Sequence, residues 1–507
     1  MGRGERWRGC YTEGSHASFC TAMPVLDLGA QGAEVLALQQ QLIRLGFLWG
    51  DADGVFGPAT ALALRDLQRH LLLRPDGIAG PRTQAALAGP PPLPSSAYGP
   101  LMREADALAS QDLADDDHLP LLDRGLDASP FREEPPRFAA RLAAAPPAAA
   151  ELTPYPAPAG FAAYPPLGVV PPIVSGREDR GGLAFLGEAV AQACVCLGSF
   201  AADQPLKVRW YGRRALEDNV QFWSATKFIA PLQLVCQLNR RHPGIPIAAT
   251  SVRSLEGGHT EGFAELFRDL VSYAPRAGER DGGGSNRIAY LFKRLRHGDE
   301  PDLQSWLRQV SGNPRALLLG WHGQWEPPRD RPDPSFHNPF RQGAELIGPG
   351  GVLLPHRSEP RTRNLVSAYD LVRMLTLLGW HQQLQPDIRL PGAQWSSLAT
   401  LVEGLGHDTA RYLDAALEQL GLLGAVDEPV ILSKMGYGAE TGDPDIDALC
   451  YAAFASFRDT RTTPHRQRSF ALALRVPTRP GFGLEADARM GAEVTELVRR
   501  IFAEELA

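Results

Sequence analysis

Long apolar runs are missing from this 507-residue sequence. Nowhere do the roughly 18 consecutive apolar residues of a membrane span occur, so no transmembrane helix is expected. The first 22 residues carry Arg3, Arg6, Trp7 and Arg8 but no apolar core of the kind a secretory signal needs. Taken alone, that makes a cytoplasmic location the expectation, with the true start at Met1 or Met23 left open. Positive charge is also short: 51 Lys and Arg face 58 Asp and Glu, for a formal net charge of −7. A nucleic-acid partner, which needs a basic field, is therefore not expected. Six cysteines are too few for a disulfide scaffold, and Cys194, Cys196 and Cys236 lie in apolar runs that suit buried free thiols. Cys10 and Cys20 flank a polar stretch with no partners at metal-ligand spacing, so no metal site is expected.

What the sequence holds instead is a globular composition, 44% hydrophobic and 21% charged. Its length exceeds the roughly 250–300 residues at which one core stops growing, so two or more units are expected. An internal repeat marks the first of them. Asp53-Gly-Val-Phe-Gly-Pro-Ala-Thr60 returns as Asp76-Gly-Ile-Ala-Gly-Pro-Arg-Thr83, a period of 23 residues (76 minus 53). In each copy an Asp-Gly turn leads into a helix start that tolerates proline at its first position. Val35, Leu36, Leu38, Leu42 and Leu45 recur at helical spacing before the first copy, with Gln39, Gln40 and Gln41 between them. Ala61, Leu62, Leu64, Leu67 and Leu71 do the same between the copies, and three short helices follow.

The stretch from Leu26 to Leu87, with LGAQGAEVLALQQQLIRLGF, DGVFGPATALALRDLQ and DGIAGPRTQAAL, resembles the peptidoglycan-binding domain carried by many cell-wall hydrolases. The resemblance implies a small all-α three-helix module over 25–89. Such a module holds the bacterial wall glycopeptide in a shallow groove and has no chemistry of its own. Similar domains sometimes dock proteins or autoinhibit, which keeps that role open. Residues 1–24 are expected to be disordered. From Pro90 to Pro172 lie 18 of the 44 prolines, with Ala-rich runs such as Ala143-Ala-Ala-Pro-Pro-Ala-Ala-Ala150. Such a composition does not offset ordering entropy by burial. Residues 90–181 therefore read as a semi-extended linker, and Asp115-Asp-Asp117 as a solvated charge run.

Chemistry enters at Gln221-Phe-Trp-Ser-Ala-Thr-Lys-Phe-Ile-Ala-Pro-Leu-Gln-Leu-Val235, where Ser224 and Lys227 interrupt an apolar, helix-like run. Three residues apart on a helix, they share a face. A serine hydroxyl becomes nucleophilic when a neighbouring base takes its proton, and a lysine whose pKa is lowered by burial can be that base. A helix N-terminus adds a backbone N–H for an oxyanion. The plain alternative is a capping serine followed by a surface lysine; the apolar setting argues against it. The run resembles the first motif of β-lactamases and penicillin-binding proteins, whose Ser-Asp-Asn and Lys-Thr-Gly elements should then follow.

Asp281-Gly-Gly-Gly-Ser-Asn-Arg-Ile-Ala-Tyr-Leu-Phe-Lys293, about 60 residues on, resembles the second motif in position and sequel. Aligned on Asn286, the proton-shuttling serine of the family falls on Gly284. Ser285 serves if the loop shifts by one residue, with Asn286 contacting the substrate amide. A literal Ser311-Gly312-Asn313 is the alternative, although it follows the helix-like Leu303 to Val310 and suits a terminal turn.

The third element is Glu428-Pro-Val-Ile-Leu-Ser-Lys-Met-Gly-Tyr437, an apolar strand ending in Lys434-Met435-Gly436. The resemblance implies an edge strand that lines the site, with Lys434 raising the positive potential and Gly436 and Tyr437 alongside the substrate. It also implies that the N–H groups of Ser224 and Tyr437 form the oxyanion hole. Methionine stands where the family has threonine, which removes a hydroxyl that helps hold a substrate carboxylate. Trp325-Glu326-Pro327 resembles the start of the Ω-loop of class A β-lactamases, whose glutamate activates the deacylating water. Position 330 is Asp where that pattern has asparagine, and a surface Glu326 before two prolines is the other reading. A helix over 364–378, strands at 451–457 and 469–476 and a last helix over 486–506 complete an α+β domain across 182–507, an antiparallel sheet with covering helices.

These resemblances imply a multidomain serine hydrolase of the cell wall or periplasm. It would act through an acyl-enzyme on peptidoglycan stem peptides, as a DD-peptidase does, or on β-lactams, as a β-lactamase does, and needs no metal or organic cofactor. Gly284 and Met435 sustain a second expectation, a wall-binding scaffold that keeps the fold without turnover. The lack of an export signal sustains a third, a protein that meets cytoplasmic ligands or recycled wall fragments.

Overall fold

The computed structural model describes residues 25–44, 47–70, 75–80, 83–84, 87, 119–144, 160–175, 182–200, 205–255, 259–273, 283–295, 299–320, 344–354, 364–440 and 443–506. The chain divides into two compact units, with the main boundary between Gly89 and Pro90.

In the N-terminal unit, α1 (Ala33–Arg44) buries Val35, Leu38 and Leu42, and α2 (Pro58–His70) buries Ala61, Leu64 and Leu67. Thr83, Gln84 and Leu87 are helical as well. Two glutamines organise the repeats. The Gln39 amide nitrogen donates to Asp53 Oδ1 (2.7 Å), Val55 O (3.0 Å) and Thr60 Oγ1 (3.1 Å), while its oxygen accepts from the Gly54 N–H (2.7 Å). Gln68 repeats the set with Asp76 (2.9 Å), Ile78 (3.0 Å), Thr83 (3.1 Å) and the Gly77 N–H (2.8 Å). Each Asp-Gly turn thus closes on a buried amide. Gly54 and Gly77 sit at φ of +72° and +75°, which side chains resist.

The C-terminal unit is built on a seven-stranded sheet. Its first strands are β1 (Ala162–Ala163), β2 (Ile173–Ser175), β3 (Gln192–Ser199) and β4 (Lys207–Arg213). Short strands β5 (Ser251–Ser254), β6 (Thr260–Gly262), β8 (Ala344–Ile347) and β9 (Leu353–Leu354) form a second sheet, and β7 (Leu317–Leu318) pairs with β10 (Asn364–Leu365). The main sheet ends with β11 (Val426–Glu440), β12 (Asp443–Asp459) and β13 (Arg466–Thr478). Its order is β1-β4-β3-β13-β12-β11, antiparallel throughout except where β2 runs parallel to β4.

Both faces of this sheet are covered. Cys450, Ala452 and Phe454 of β12 enter one core, and Leu449, Tyr451, Ala453 and Ala455 enter the other. Burial on both sides is why these strands read as unbroken apolar runs rather than alternations. The first core includes α4 (Ile229–Arg241), α5 (Phe263–Ser272), α6 (Gly283–Arg294), α7 (Leu303–Ser311), α8 (Ala368–Gly379) and α9 (Trp395–Leu405); the second includes α10 (Tyr412–Gln419) and α11 (Gly483–Ala503). Helix α8 lies so close to the sheet that a Cβ on Gly379 would come within 2.5 Å of the Phe454 ring. Its start differs from the sequence expectation: Asn364 and Leu365 are strand, and Ser367 caps the helix through a reciprocal bond with Asp370.

The linker expectation needs correction. Within 90–181, residues Leu119, Leu122, Phe131, Phe138, Leu142 and Tyr164 are buried in the C-terminal unit. The helix α3 (Pro135–Ala143) packs on α9, and Ala162–Ala163 and Ile173–Ser175 join the sheet. Proline content conceals these sparse apolar anchors, whose partners lie more than 200 residues away in sequence, as in Tyr164–Thr376. Residues 1–24 and Asp115–Asp117 lie outside the described residues. Cys194, Cys196, Cys236 and Cys450 are buried thiols outside any disulfide. Among the described residues no helix is long and apolar enough to cross a membrane, and no His, Cys, Asp or Glu cluster is placed to hold a metal.

Replacing Gln39 or Gln68 by Leu leaves the turn N–H groups without their acceptor. Each change is expected to cost the N-terminal unit about 1–3 kcal/mol, read by hydrogen exchange of that unit in the full chain. Unchanged protection would show that the amides do not hold the turns.

Candidate active site

Ser224 lies in a 3₁₀ turn, Trp223–Thr226, immediately ahead of α4 rather than in the helix itself. The Lys227 N–H closes this turn on Ser224 O (3.0 Å), and Trp223 enters it at φ 48°. Ser224 is partly exposed, whereas Lys227 has no exposed surface. The apolar run after it buries α4 from Ile229 to Asn239, directly after the lysine.

The last strand of the main sheet, β11, runs against the serine turn. A Cβ on Gly436 would lie 2.4 Å from Phe222 O and 2.9 Å from the backbone nitrogens of Ser224 and Ala225. Only glycine allows this contact between strand and turn. Tyr437 is half-buried, and its hydroxyl donates to Asp447 Oδ2 (3.2 Å).

Ser285 and Asn286 occupy the first turn of α6. Ser285 is buried, accepts from Lys227 Nζ (2.8 Å) and donates to Leu270 O (2.6 Å). The hydroxyl facing Lys227 is thus one residue after Gly284, and Asn286 beside it is half-buried. Ser311-Gly312-Asn313 is elsewhere: it ends α7, with Gly312 at φ 84°. Asn313 there donates to Asp370 (2.7 Å) and Asn219 (3.0 Å) in the buried network that caps α8. Glu326 lies outside the described residues.

Two lysines meet around one ring. Lys434 is fully buried and donates to Asp408 Oδ1 (3.1 Å), itself fully buried. Lys434 Nζ stands 4.1 Å and Lys227 Nζ 4.9 Å from the centre of the Tyr273 ring, whose hydroxyl donates to Met435 Sδ (3.4 Å). Burial pushes Lys227 well below the usual lysine range, and the ammonium groups of Lys434 and Lys293 push it further the same way. For Lys434 burial acts downward too, but Asp408 and Tyr273 more than offset it and hold the group above its ordinary value. One lysine is therefore biased toward the free amine and its neighbour toward the cation. Lys293 is buried on Asn364 Oδ1 (2.7 Å) and Gly320 O (3.1 Å), and burial lowers it as well.

An amine beside a serine turn, a hydroxyl on that amine and a strand backbone against the serine N–H suit proton abstraction and acyl transfer. Tyr273 and Asp408 were not visible as site residues in the sequence. Tyr273 ends α5 in the left-handed conformation and Asp408 follows α9, positions with no motif of their own.

Residues 31–87 match the family described as "Putative peptidoglycan binding domain". The spore cortex-lytic enzyme of Bacillus cereus is 44% identical over 63 residues, 12% of this chain and 24% of that protein. The N-acetylmuramoyl-L-alanine amidase CwlL of Bacillus licheniformis is 43% identical over 67 residues, 13% of this chain and 18% of that one. The chain thus spans about a quarter or less of these two relatives' length. Among solved structures, the TLA-3 extended-spectrum beta-lactamase is similar over 61% of this chain and 94% of its own, at 13% identity and a TM-score of 0.34. A class A beta-lactamase from Bacteroides cellulosilyticus is similar over 61% and 93%, at 11% identity and the same score.

Gly436→Ala is expected to push β11 off the serine turn. Covalent labelling of Ser224 should slow by about a hundredfold while far-ultraviolet circular dichroism stays that of the parent. Labelling at the parental rate would mean that strand and turn are not held in register by this contact.

Proposed function

We propose that this chain is a serine acyl hydrolase carried to the bacterial wall by its N-terminal domain, with a wall peptide as its acyl donor. The observation that carries the reading is Lys227, fully buried, biased toward the neutral amine and bonded to Ser285 one turn from Ser224. Ser224 Oγ attacks an amide or ester carbonyl, forming the C–O bond as its proton passes to Lys227 Nζ. The resulting ammonium returns that proton through Ser285 to the leaving nitrogen or oxygen as the old bond breaks. Water then releases the acyl group and the serine regains its proton. Backbone N–H groups of Ser224 and Tyr437 are the proposed oxyanion donors, and Asn286 the proposed contact to the donor amide. The peptidoglycan-binding match supports a peptidoglycan stem peptide as the acyl donor.

A wall-binding protein without turnover is the second reading. It draws on the Ser285 hydroxyl, whose single proton is already given to Leu270 O. Turnover requires that bond to exchange when substrate arrives.

Intact-mass spectrometry of the full chain with a fluorophosphonate and with a fluorescent penicillin, beside Ser224→Ala, tests the proposal. A fluorophosphonate adduct on the parent, absent from the variant, is expected. No Ser224-dependent adduct with either reagent would leave the non-catalytic reading in place.

The pH dependence of labelling is a separate check. Lys227 accepts a proton only as the free amine, and its folded pKa lies well below 10.5. The labelling rate should therefore rise with pH and level off well below pH 10.5. A rise centred at the ordinary lysine value would mean that Lys227 is charged in the resting site.

A further inference from the structure

Granted the acylating Ser224 proposed above, we infer that the site favours acyl donors with no carboxylate beside the scissile bond, taking neutral esters and amides over donors whose leaving group ends in a carboxylate. The charge arrangement at Lys434 carries this. A lysine on the site strand would attract a substrate carboxylate if its charge were available. Here the ammonium is bonded at 3.1 Å to Asp408, and neither group has any exposed surface. The pair is shielded from water, so its internal attraction is strong and the Lys434 charge already has its counter-ion before any substrate arrives. The second Asp408 oxygen has no hydrogen-bond partner among the described residues, leaving excess acceptor character on the acidic side of the pair.

The neighbouring positions act in the same direction. Met435 carries a thioether, which offers an anion no donor, and the Tyr273 hydroxyl is turned onto that sulfur at 3.4 Å. The Tyr273 ring covers one side of Lys434 Nζ at 4.1 Å. Further along β11, the Tyr437 hydroxyl is bonded to a second carboxylate, Asp447, at 3.2 Å. Lys227, the other nearby lysine, is biased toward the neutral amine. An entering carboxylate would lose its water shell near Asp408 and Asp447 without gaining a free cation from Lys434. A neutral leaving group has no such loss.

The test compares two benzoylglycyl thioesters with the full chain, one with thioglycolate as leaving group and one with the corresponding amide, thioglycolamide. Acyl-enzyme formation is followed by intact mass, with Ser224→Ala as background. The amide form is expected to acylate Ser224 about tenfold faster. Equal rates, or faster acylation by the carboxylate form, would overturn the inference and leave the nucleophile standing. So would fluorophosphonate labelling of Ser224 with neither thioester reacting. Absence of fluorophosphonate labelling would remove the nucleophile and this inference together.

Discussion

The buried ion pair of Lys434 with Asp408 is what allows a second lysine to lie beside it. Two ammonium groups in one water-free space repel strongly, and a protein relieves such a conflict by pairing one charge or discharging the other. This structure does both. Asp408 fixes the charge on Lys434, and that charge with burial turns Lys227 toward the free amine. The Tyr273 ring between them offers its electron-rich face to whichever nitrogen carries the proton. Removing Asp408 would therefore alter Lys227 without touching it.

The frame around these charges is closely packed. Strand β11 is paired along most of its length with β12, whose residues are buried on both faces of the sheet. Helix α4 is buried along nearly its whole length, and Lys227 just ahead of it has no exposed surface. Gly436 then lets the strand backbone reach the serine turn, and the two elements meet with no side chain between them.

The sequence shows some of this clearly and some not at all. Ser224 and Lys227 are legible because their relation is local, three residues in one turn. Lys434 is legible because a strand buried on both faces is an apolar run that a lysine interrupts. Ser285 is legible only with a one-residue shift, since spacing does not reveal which of Gly284 and Ser285 faces Lys227. Asp408 and Tyr273 are silent: they reach the site through folding, with Tyr273 and Met435 separated by 162 positions. The 90–181 segment was misread because composition averages over Leu119, Phe138 and Tyr164, and a handful of anchors is enough to dock a proline-rich chain. The three-helix and α+β classes were readable because periodicity and strand runs extend over many residues.

The N-terminal repeats have a further property in their spacing. Gln39 and Asp53 are 14 residues apart, whereas Gln68 and Asp76 are only 8 apart, yet both pairs make the same set of bonds. Closing the longer loop costs only about 0.5 kcal/mol more by chain statistics. The geometry of each joint is therefore stored in a side-chain amide rather than in the length of chain that leads to it. A joint of that kind lets connecting segments grow or shrink over generations while the surface assembled from the turns keeps its shape.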